Sequence, residues 1–537
     1  MSNKKVVGAY LDFSRNMVMS VEGLKRFMDI IGKMGYNEVM LYTEDTYEIE
    51  GEPEFGYMRG RYSKKELKEI VAYGEKIGVI VVPGIQTLGH FTRLFQWPKY
   101  EKIHDCGDIL LVEEEATYEF LDKIFKNLRE CYNTDKIHLG LDEAGNLGFG
   151  RYMHKHGIPK DRTKLFMDHV VKVNEIAKKH GFYDNIMDSD MFFRIVNNGY
   201  YYTTDHNLIT GEVTKSVPEN MSLNYWTYFE NPQIYEAMFT NHERFNRKIT
   251  FMGSPLNWTV FTAQNTRAMD YIEMQIPIAL KHNVTDFYFA FFGDDAAESN
   301  YFSNLPSLMR FADLCNGISD INVTKKRFFK LFGINFDDFL KIDLPGCVEP
   351  GSEHRWTHTD KWQFYADPFL GIQDVLLSKD ENEPKFYRSV SRKLSKMSDN
   401  PEYGYLFRTA KTYCDVLAYK SVLGKHTRAA YDAKDKEKLR EVIKEYKKTE
   451  KKLEMFFDEY RNQWLHDAKP FGLEVQDARI GGLIAIIKKC RLRLTDYVNG
   501  KIQTIEELDE PLLTDIDLSK KTERWAEIIT TNRVGLT

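Results

Sequence analysis

Two adjacent carboxylates are the strongest chemical signal in this chain of 537 residues. They are Asp142 and Glu143, which end the segment His-Leu-Gly-Leu-Asp-Glu at residues 138–143. Because neighbouring like charges repel, we expect the carboxyl group in the drier surroundings to have a raised pKa and to stay protonated. An acid beside a charged orienting group is what glycosyl transfer needs. Spacing alone leaves a second interpretation open, in which the pair only caps the next helix.

The elements that must position this pair alternate along the first part of the chain. Short apolar runs predict eight strands, and amphipathic stretches with a 3.6-residue period predict helices between them. The predicted strands are residues 6–13, 38–42, 79–83, 136–142, 185–190, 222–226, 249–252 and 286–292. Eight strand–helix pairs in this length predict a (β/α)8 TIM barrel. A doubly wound open sheet is the alternative, weakened because no glycine-rich phosphate loop follows the first strand.

The carboxyl ends of these strands carry many acidic and aromatic residues. In a parallel barrel the catalytic groups collect there. If the fourth strand continues to Asp142, side-chain alternation turns His138, Gly140 and Asp142 inward together. Carboxylates beside aromatic rings suit a neutral, polyhydroxylated ligand such as a sugar. The candidate substrate-binding residues are Arg15, Glu44, Asp45, Asp188, Asp190, Tyr225, Trp226, Trp258, Phe292 and Asp294.

Three of these candidates have a structural alternative. Arg15 would equally well form a salt bridge with Asp12 inside the core. Trp258 is either a sugar platform or packing at the top of the barrel. Asp190 either contacts sugar or only orients its loop.

Several motifs in order along the barrel resemble glycoside hydrolase family 20, the β-N-acetylhexosaminidases. The segment at 138–143 resembles the family signature His-x-Gly-Gly-Asp-Glu, and Leu-Asp-Phe-Ser-Arg at 11–15 resembles its Leu-Asp-x-x-Arg. Leu-Gly-His at 88–90 resembles its Pro-Gly-His. Residues 41–49, 55–63 and 293–298 are similar to a bacterial branch of the family that has a helical C-terminal region. The resemblance covers about residues 5–310.

The resemblance implies a retaining, exo-acting mechanism in which the substrate supplies the nucleophile. By similarity, Glu143 would be the general acid and base, and Asp142 would hold the 2-acetamido group. His90 would tune Glu143 in a relay with Glu44 or Asp45. No metal ion or organic cofactor would be required.

The sugar contacts are also carried over by similarity. Tyr225 would hydrogen-bond the acetamido oxygen, and Asp294 would bind hydroxyl groups at the non-reducing end.

Four positions depart from the family pattern. Val7 stands where the family has an arginine that grips ring hydroxyls. Asp188 replaces a tryptophan that walls the acetamido pocket, Thr227 replaces an aspartate, and Phe292 replaces a tryptophan. A carboxylate in place of an aromatic wall would make the subsite wetter. We therefore expect the preferred sugar to differ from plain N-acetylglucosamine.

The chain changes character near residue 320. Long charged helical patterns replace the strands, so we predict a catalytic barrel at 1–318 and an α-helical domain at 319–537. The family resemblance makes a homodimer plausible. The net charge of −6 offers no basic surface for nucleic acid, and no apolar run is long enough for a membrane span. Six scattered cysteines and the absence of an apolar leader predict a cytoplasmic protein.

Three functions compete at this point. The first is the retaining β-N-acetylhexosaminidase-like hydrolase. The second is a related β-glycosidase that no longer uses the acetamido group, for which Asp188 or Asp142 would have to be the nucleophile. The third is a catalytically weak carbohydrate-binding protein, against which the intact Asp142 and Glu143 argue.

Overall fold

Eight parallel strands close into a barrel, as the strand–helix alternation predicts. The computed structural model describes residues 5–215, 217–228, 231–253, 260–348, 358–372, 374, 382–513 and 524–534. The strands are β1 (Val6–Asp12), β2 (Glu38–Tyr42), β3 (Ile80–Gly84), β4 (His104–Cys106), β5 (Ile109–Leu110), β6 (Lys136–His138), β7 (Asp184–Asp188), β8 (Met221–Thr227), β9 (Ile249–Gly253) and β10 (Asp286–Phe291). The barrel order is β1-β10-β9-β8-β7-β6-β3-β2, and β4 and β5 form a separate two-stranded sheet. Because β1 pairs with both β10 and β2, the open-sheet alternative is wrong.

The barrel helices follow the predicted amphipathic stretches. The first eleven helices are α1 (Val21–Met34), α2 (Lys64–Ile77), α3 (Glu115–Arg129), α4 (Arg151–His156), α5 (Arg162–Lys179), α6 (Asp190–Val196), α7 (Gly211–Thr214), α8 (Pro232–Glu243), α9 (Asn265–Lys281), α10 (Leu305–Cys315) and α11 (Ile321–Phe332). Helix α2 begins with a capping box, in which Ser63 accepts from the Glu66 amide and the Glu66 side chain accepts from the Ser63 amide.

Charged and aromatic side chains fill the amino-terminal end of the barrel. Glu38 accepts hydrogen bonds from Tyr288 Oη (2.7 Å) and from Lys136 Nζ (2.7 Å). A Cβ atom on Gly8 would lie 2.4 Å from the Tyr288 ring, so only glycine fits opposite this tyrosine. These buried pairs lie at the end opposite the strand ends that carry the candidate site, where barrel residues stabilise rather than catalyse.

The chain divides into two units. The first comprises Met1–Pro255, Ala268–Phe291 and Ser307–Thr324, and the second comprises Leu256–Arg267, Phe292–Pro306 and Lys325–Thr537. The domain boundary that we predicted at 318/319 therefore falls six residues before a unit boundary at 324/325. Two short stretches that we predicted to be part of the barrel belong to the second unit instead. Local sequence patterns do not reveal such exchanges, because they depend on long-range contacts.

Helices are the regular elements of the second unit in the part that the structure describes. Its helices are α12 (Phe336–Phe339), α13 (Thr359–Tyr365), α14 (Glu383–Ser395), α15 (Gly404–Lys420), α16 (Leu423–Asp432), α17 (Lys436–Asp467), α18 (Leu473–Val498), α19 (Glu506–Asp509) and α20 (Trp525–Ile529). Four buried charges form a closed network in this unit. Lys361 Nζ lies 2.6 Å from Asp295 and 2.7 Å from Glu298, and Arg479 pairs with the same two carboxylates. Across the described residues of both units, no helix combines the length and apolar character needed to cross a membrane.

Candidate active site

A left-handed turn, rather than a strand, delivers Asp142 to the site. Strand β6 ends at His138, and the backbone φ angles of Gly140 and Leu141 are +67° and +75°. The expectation that strand pleating places Asp142 is therefore wrong. A Cβ atom on Gly140 would lie 2.1 Å from Gln86 Oε1, and this same oxygen accepts a hydrogen bond from the Leu141 amide (3.3 Å). Gln86 thus shapes the turn, which a residue with a side chain at 140 would displace.

Asp142 is held as a charged carboxylate by two neighbours. His90 Nε2 lies 3.1 Å from its Oδ2 atom, and Gln86 Nε2 donates to its Oδ1 atom over 2.7 Å. Burial alone would raise the pKa of Asp142, but the charge of His90 and these hydrogen bonds hold it well below its usual range. Burial likewise opposes a charge on His90, yet the Asp142 carboxylate raises the pKa of His90 to about 10. The two groups therefore form an ion pair near neutral pH.

Glu143 is the more exposed member of the carboxylate pair. Its side chain is 49% exposed, against 17% for Asp142. Arg194 Nη2 lies 3.1 Å from its Oε1 atom, and His90 Nε2 lies 3.9 Å from its Oε2 atom. The expectation that the drier carboxyl group is the protonated one is wrong for this pair, because the adjacent His90 cation stabilises the buried charge of Asp142.

Asp190 is a buried anchor for the Glu143 loop. Its Oδ2 atom accepts from the Glu143 amide (3.0 Å) and from Arg194 Nε (2.6 Å). Burial, together with the charge of Asp142, raises the pKa of Asp190 to about 8, although Arg194 opposes this shift. Asp190 is fully buried. A sugar does not reach it in this arrangement, so of the two interpretations of Asp190 the structure favours loop orientation over sugar contact.

Arg194 is a site residue that the sequence reasoning missed. It follows Asp190 by four residues on α6, the spacing at which opposite charges on a helix meet. That spacing is the signal that would have found it.

Asp188 lies in a dry, polar layer beneath Asp142. Its Oδ1 atom accepts from Asn224 Nδ2 (2.7 Å), and its Oδ2 atom lies 3.4 Å from His138 Nε2. Because His138 Nδ1 accepts from the Gly140 amide, we assign the His138 proton to Nε2, facing Asp188. Burial raises the pKa of Asp188. The expectation that Asp188 makes this subsite wetter is therefore wrong, because Asp188 is only 6% exposed and its carboxyl group contacts other side chains of the protein.

Arg15 and Glu44 connect to Asp142 through a chain of hydrogen bonds. Arg15 Nη1 lies 3.2 Å from Glu44 Oε1, which also accepts from Tyr42 Oη (3.0 Å). Tyr42 Oη in turn accepts from Gln86 Nε2 (2.8 Å), the donor to Asp142. Arg15 Nη1 also lies 3.6 Å from Asp12 Oδ2. Arg15 therefore forms the salt bridge with Asp12 and also lies near the site, so its two interpretations do not exclude each other.

Asp45 contacts a different arginine from the one that Glu44 contacts. It accepts from Arg59 Nε (2.9 Å) and is buried, and burial raises its pKa although Arg59 opposes the shift. The charge of Glu44 helps to raise the pKa of His90, but His90 hydrogen-bonds Asp142 rather than either of the two acids that we expected to work with it. Asp45 is a structural partner of Arg59.

The aromatic candidates separate into different environments. Trp226 is partly exposed and packs on Tyr201 with ring centroids 4.7 Å apart. Tyr225 is fully buried, with its ring 5.0 Å from Phe239 and 5.0 Å from His242 on α8. The expected contact of Tyr225 with an acetamido oxygen is therefore not supported, because consecutive strand residues face opposite sides and Asn224 is the one that faces Asp188.

The three remaining candidates are not among the described residues of the first unit. Phe292 and Asp294 are partly exposed and belong to the second unit. Trp258 lies outside the described residues.

One group of possible metal ligands was found among the described residues. Ligand atoms of His90, Asp142 and Glu143 lie within 4.8 Å of one another. His90 is already paired with Asp142, and the Arg194 cation contacts Glu143, so this set does not favour a bound cation. Its chemistry suits proton transfer beside a fixed negative charge.

Comparison with known protein families matches both parts of the chain. Residues 7–242 match the glycosyl hydrolase family 20 catalytic domain, and residues 337–526 match the Glycoside Hydrolase 20C C-terminal domain. Together the two matches span most of the chain. The first includes every candidate discussed above except Trp258, Phe292 and Asp294.

The individual relatives are distant. A beta-hexosaminidase of Akkermansia muciniphila is 24% identical over 167 residues, which are 26% of this chain and 34% of that protein. One of Vibrio furnissii is 27% identical over 138 residues, which are 24% of this chain and 21% of that protein. The chain thus aligns with about a third or less of these relatives. A solved chitobiase of Flavobacterium johnsoniae shares 15% identity and a TM-score of 0.48, over 82% of this chain and 75% of that one.

Proposed function

Because this chain belongs to glycoside hydrolase family 20, we propose that it is a retaining, exo-acting β-N-acetylhexosaminidase-like hydrolase with Glu143 as general acid and base. The observation that carries the proposal is the largely buried Asp142, paired with His90, directly before the half-exposed Glu143. The first supplies a fixed negative charge, and the second is open to a substrate. A terminal β-linked amino sugar is the substrate class that uses both.

The first step cleaves the glycosidic bond. Glu143 gives its proton to the leaving oxygen as the bond between that oxygen and the anomeric carbon breaks. The acetamido oxygen of the substrate attacks the anomeric carbon from the opposite face and forms a five-membered ring. Asp142 accepts a hydrogen bond from the acetamido nitrogen and stabilises the positive charge that develops there.

The second step restores the enzyme. The Glu143 carboxylate takes a proton from water, whose oxygen attacks the anomeric carbon and opens the five-membered ring. Two inversions leave the anomeric configuration unchanged. Glu143 is again protonated, so the proton transfers of the two steps balance without a metal or an organic cofactor.

A panel of aryl β-glycosides tests the proposal. We expect turnover of one or both N-acetylhexosaminides and a loss of about 10²–10⁴-fold in kcat for Glu143→Gln, with an unchanged thermal midpoint. Turnover that Glu143→Gln leaves intact would remove Glu143 from the acid role. No turnover of any glycoside by the folded wild type would favour the catalytically weak carbohydrate-binding function instead.

A second candidate, a β-glycosidase that does not use the acetamido group, is supported by the departures at Asp188 and Thr227. Asp188 accepts a hydrogen bond from Asn224 and faces His138, so it is not placed to attack a sugar. Asp142 would then be the nucleophile. An acetamido-oxazoline mimic distinguishes the two, since it should inhibit the first enzyme strongly and the second hardly at all.

The setting of the protein is also a proposal. No disulfide links any of the six cysteines within the described residues, which is consistent with the reducing cytoplasm of a bacterium. We expect a homodimer, which light scattering coupled to size-exclusion chromatography would measure.

A further inference from the structure

Arg194 lies between the carboxylate of Glu143 and that of Asp190. Its Nε atom donates to Asp190 Oδ2 over 2.6 Å, and its Nη2 atom donates to Glu143 Oε1 over 3.1 Å. One planar guanidinium therefore contacts two carboxylates with different nitrogens. Lysine, which carries a single ammonium group, does not reproduce this geometry.

The arginine is held in place by its surroundings. Asp190 and Arg194 lie one turn apart on α6, and Arg194 Nη1 also reaches the carbonyl of Gly199 (3.4 Å). Its guanidinium lies 6.0 Å from the ring of the buried Tyr201. With a side chain only 24% exposed, Arg194 has less freedom than a surface arginine.

The same oxygen of Asp190 also fixes the backbone of Glu143. That oxygen accepts from the Glu143 amide over 3.0 Å, and Glu143 has a left-handed φ angle of +54°. A non-glycine residue in this conformation needs support from its neighbours. Asp190 therefore fixes the main chain of Glu143 directly and its carboxylate through Arg194.

We propose that Arg194 is a positioning residue that holds the Glu143 carboxylate in place and favours its ionised form. The inference rests on the proposed function, in which Glu143 acts as acid in the first step and as base in the second. By holding the carboxylate, Arg194 supports the base step, and it opposes the protonated form that the first step needs.

The charges that face Glu143 give the sign of the effect. Among the described residues, the contacts of Glu143 include the cations Arg194 and His90 and the acids Asp142 and Asp190, the last of which contacts the Glu143 amide. His90 is already paired with Asp142, so Arg194 is the closer cation and the one directed at Glu143. Replacing it with a neutral residue makes the carboxylate form less favourable. The basic limb of the kcat/KM profile, where the acid loses its proton, should then move to higher pH.

The experiment compares Arg194→Gln, Arg194→Lys and a matched control, Arg151→Gln, on the best aryl glycoside of the panel. Arg151 pairs with Glu101 at the exposed surface, so its loss removes an arginine–carboxylate pair outside the site. For Arg194→Gln we expect a fall of about tenfold or more in kcat. We expect its basic limb to rise by about 0.5–1 pH unit, less than for a buried pair because Glu143 is half exposed. Arg194→Lys should keep the limb near its original position while recovering only part of kcat, and Arg151→Gln should match the wild type.

The outcomes separate the inference from the proposed function. If the wild type hydrolyses no glycoside, the proposed function fails and the inference fails with it. If the wild type is active and Arg194→Gln keeps its kcat and its basic limb, only the inference fails. If Arg194→Gln does not fold, Arg194→Lys is the test. An unchanged kcat for Arg194→Lys would show that the simultaneous contact of Arg194 with Asp190 and Glu143 is not needed, and would overturn the inference.

Discussion

His90 Nε2 lies 3.1 Å from Asp142 Oδ2 and 3.9 Å from Glu143 Oε2. One imidazole thus pairs with the buried acid and is within reach of the exposed one. The charge it contributes explains how Asp142 stays ionised although its burial opposes the charge.

Replacing His90 with glutamine should lower kcat by about a hundredfold, because Asp142 loses its cation and becomes easier to protonate. The acidic limb of the kcat/KM profile should move to higher pH, and initial rates across a pH series would show it. An acidic limb at the same pH in His90→Gln and in the wild type would contradict this ion pair.

The same ion pair makes stability depend on pH. The folded-state pKa of His90 is raised from 6.5 to about 10, so its contribution is fully present below pH 6.5 and is lost as the pH rises toward 10. The difference in thermal midpoint between the wild type and His90→Gln should therefore shrink across this window. A difference that stays constant from pH 6.5 to pH 10 would mean that His90 is not charged in the folded protein.

Gly140→Ala should disturb the turn that carries Asp142. The new Cβ atom would lie 2.1 Å from Gln86 Oε1, at a φ angle of +67° that disfavours side chains. We expect a loss of about 1–3 kcal/mol in the free energy of unfolding, together with a reduced kcat. Gly145→Ala is the control, because a Cβ atom there meets nothing within 4 Å. Denaturant unfolding and kinetics of both variants make the test, and equal behaviour would count against a constrained turn.

Tyr225→Phe separates two accounts of the acetamido pocket. The structure buries Tyr225 against Phe239 and His242, so removal of its hydroxyl should leave KM for an N-acetylglucosaminide nearly unchanged. Trp226→Ala, which removes a partly exposed ring, should raise KM several-fold. A large increase in KM for Tyr225→Phe would show that its hydroxyl reaches the sugar after all.

The sequence by itself predicted the barrel and the carboxylate pair that follows strand β6. Strand and helix periods depend on local side-chain patterns, which is why the eight strands were predicted. The order of motifs at strand ends likewise led to the prediction of Asp142, Glu143 and His90 as site residues.

Only the tertiary structure decided how those residues are charged and supported. Asp142 is ionised because His90, 52 residues away in the chain, donates to it, and Glu143 is held by Arg194 on α6, 51 residues away. The direction of Asp188 and Tyr225, and the exchange of Phe292 and Asp294 to the second unit, depend on long-range packing. Burial and electrostatic interactions depend on distance in space, and a linear pattern does not contain that distance.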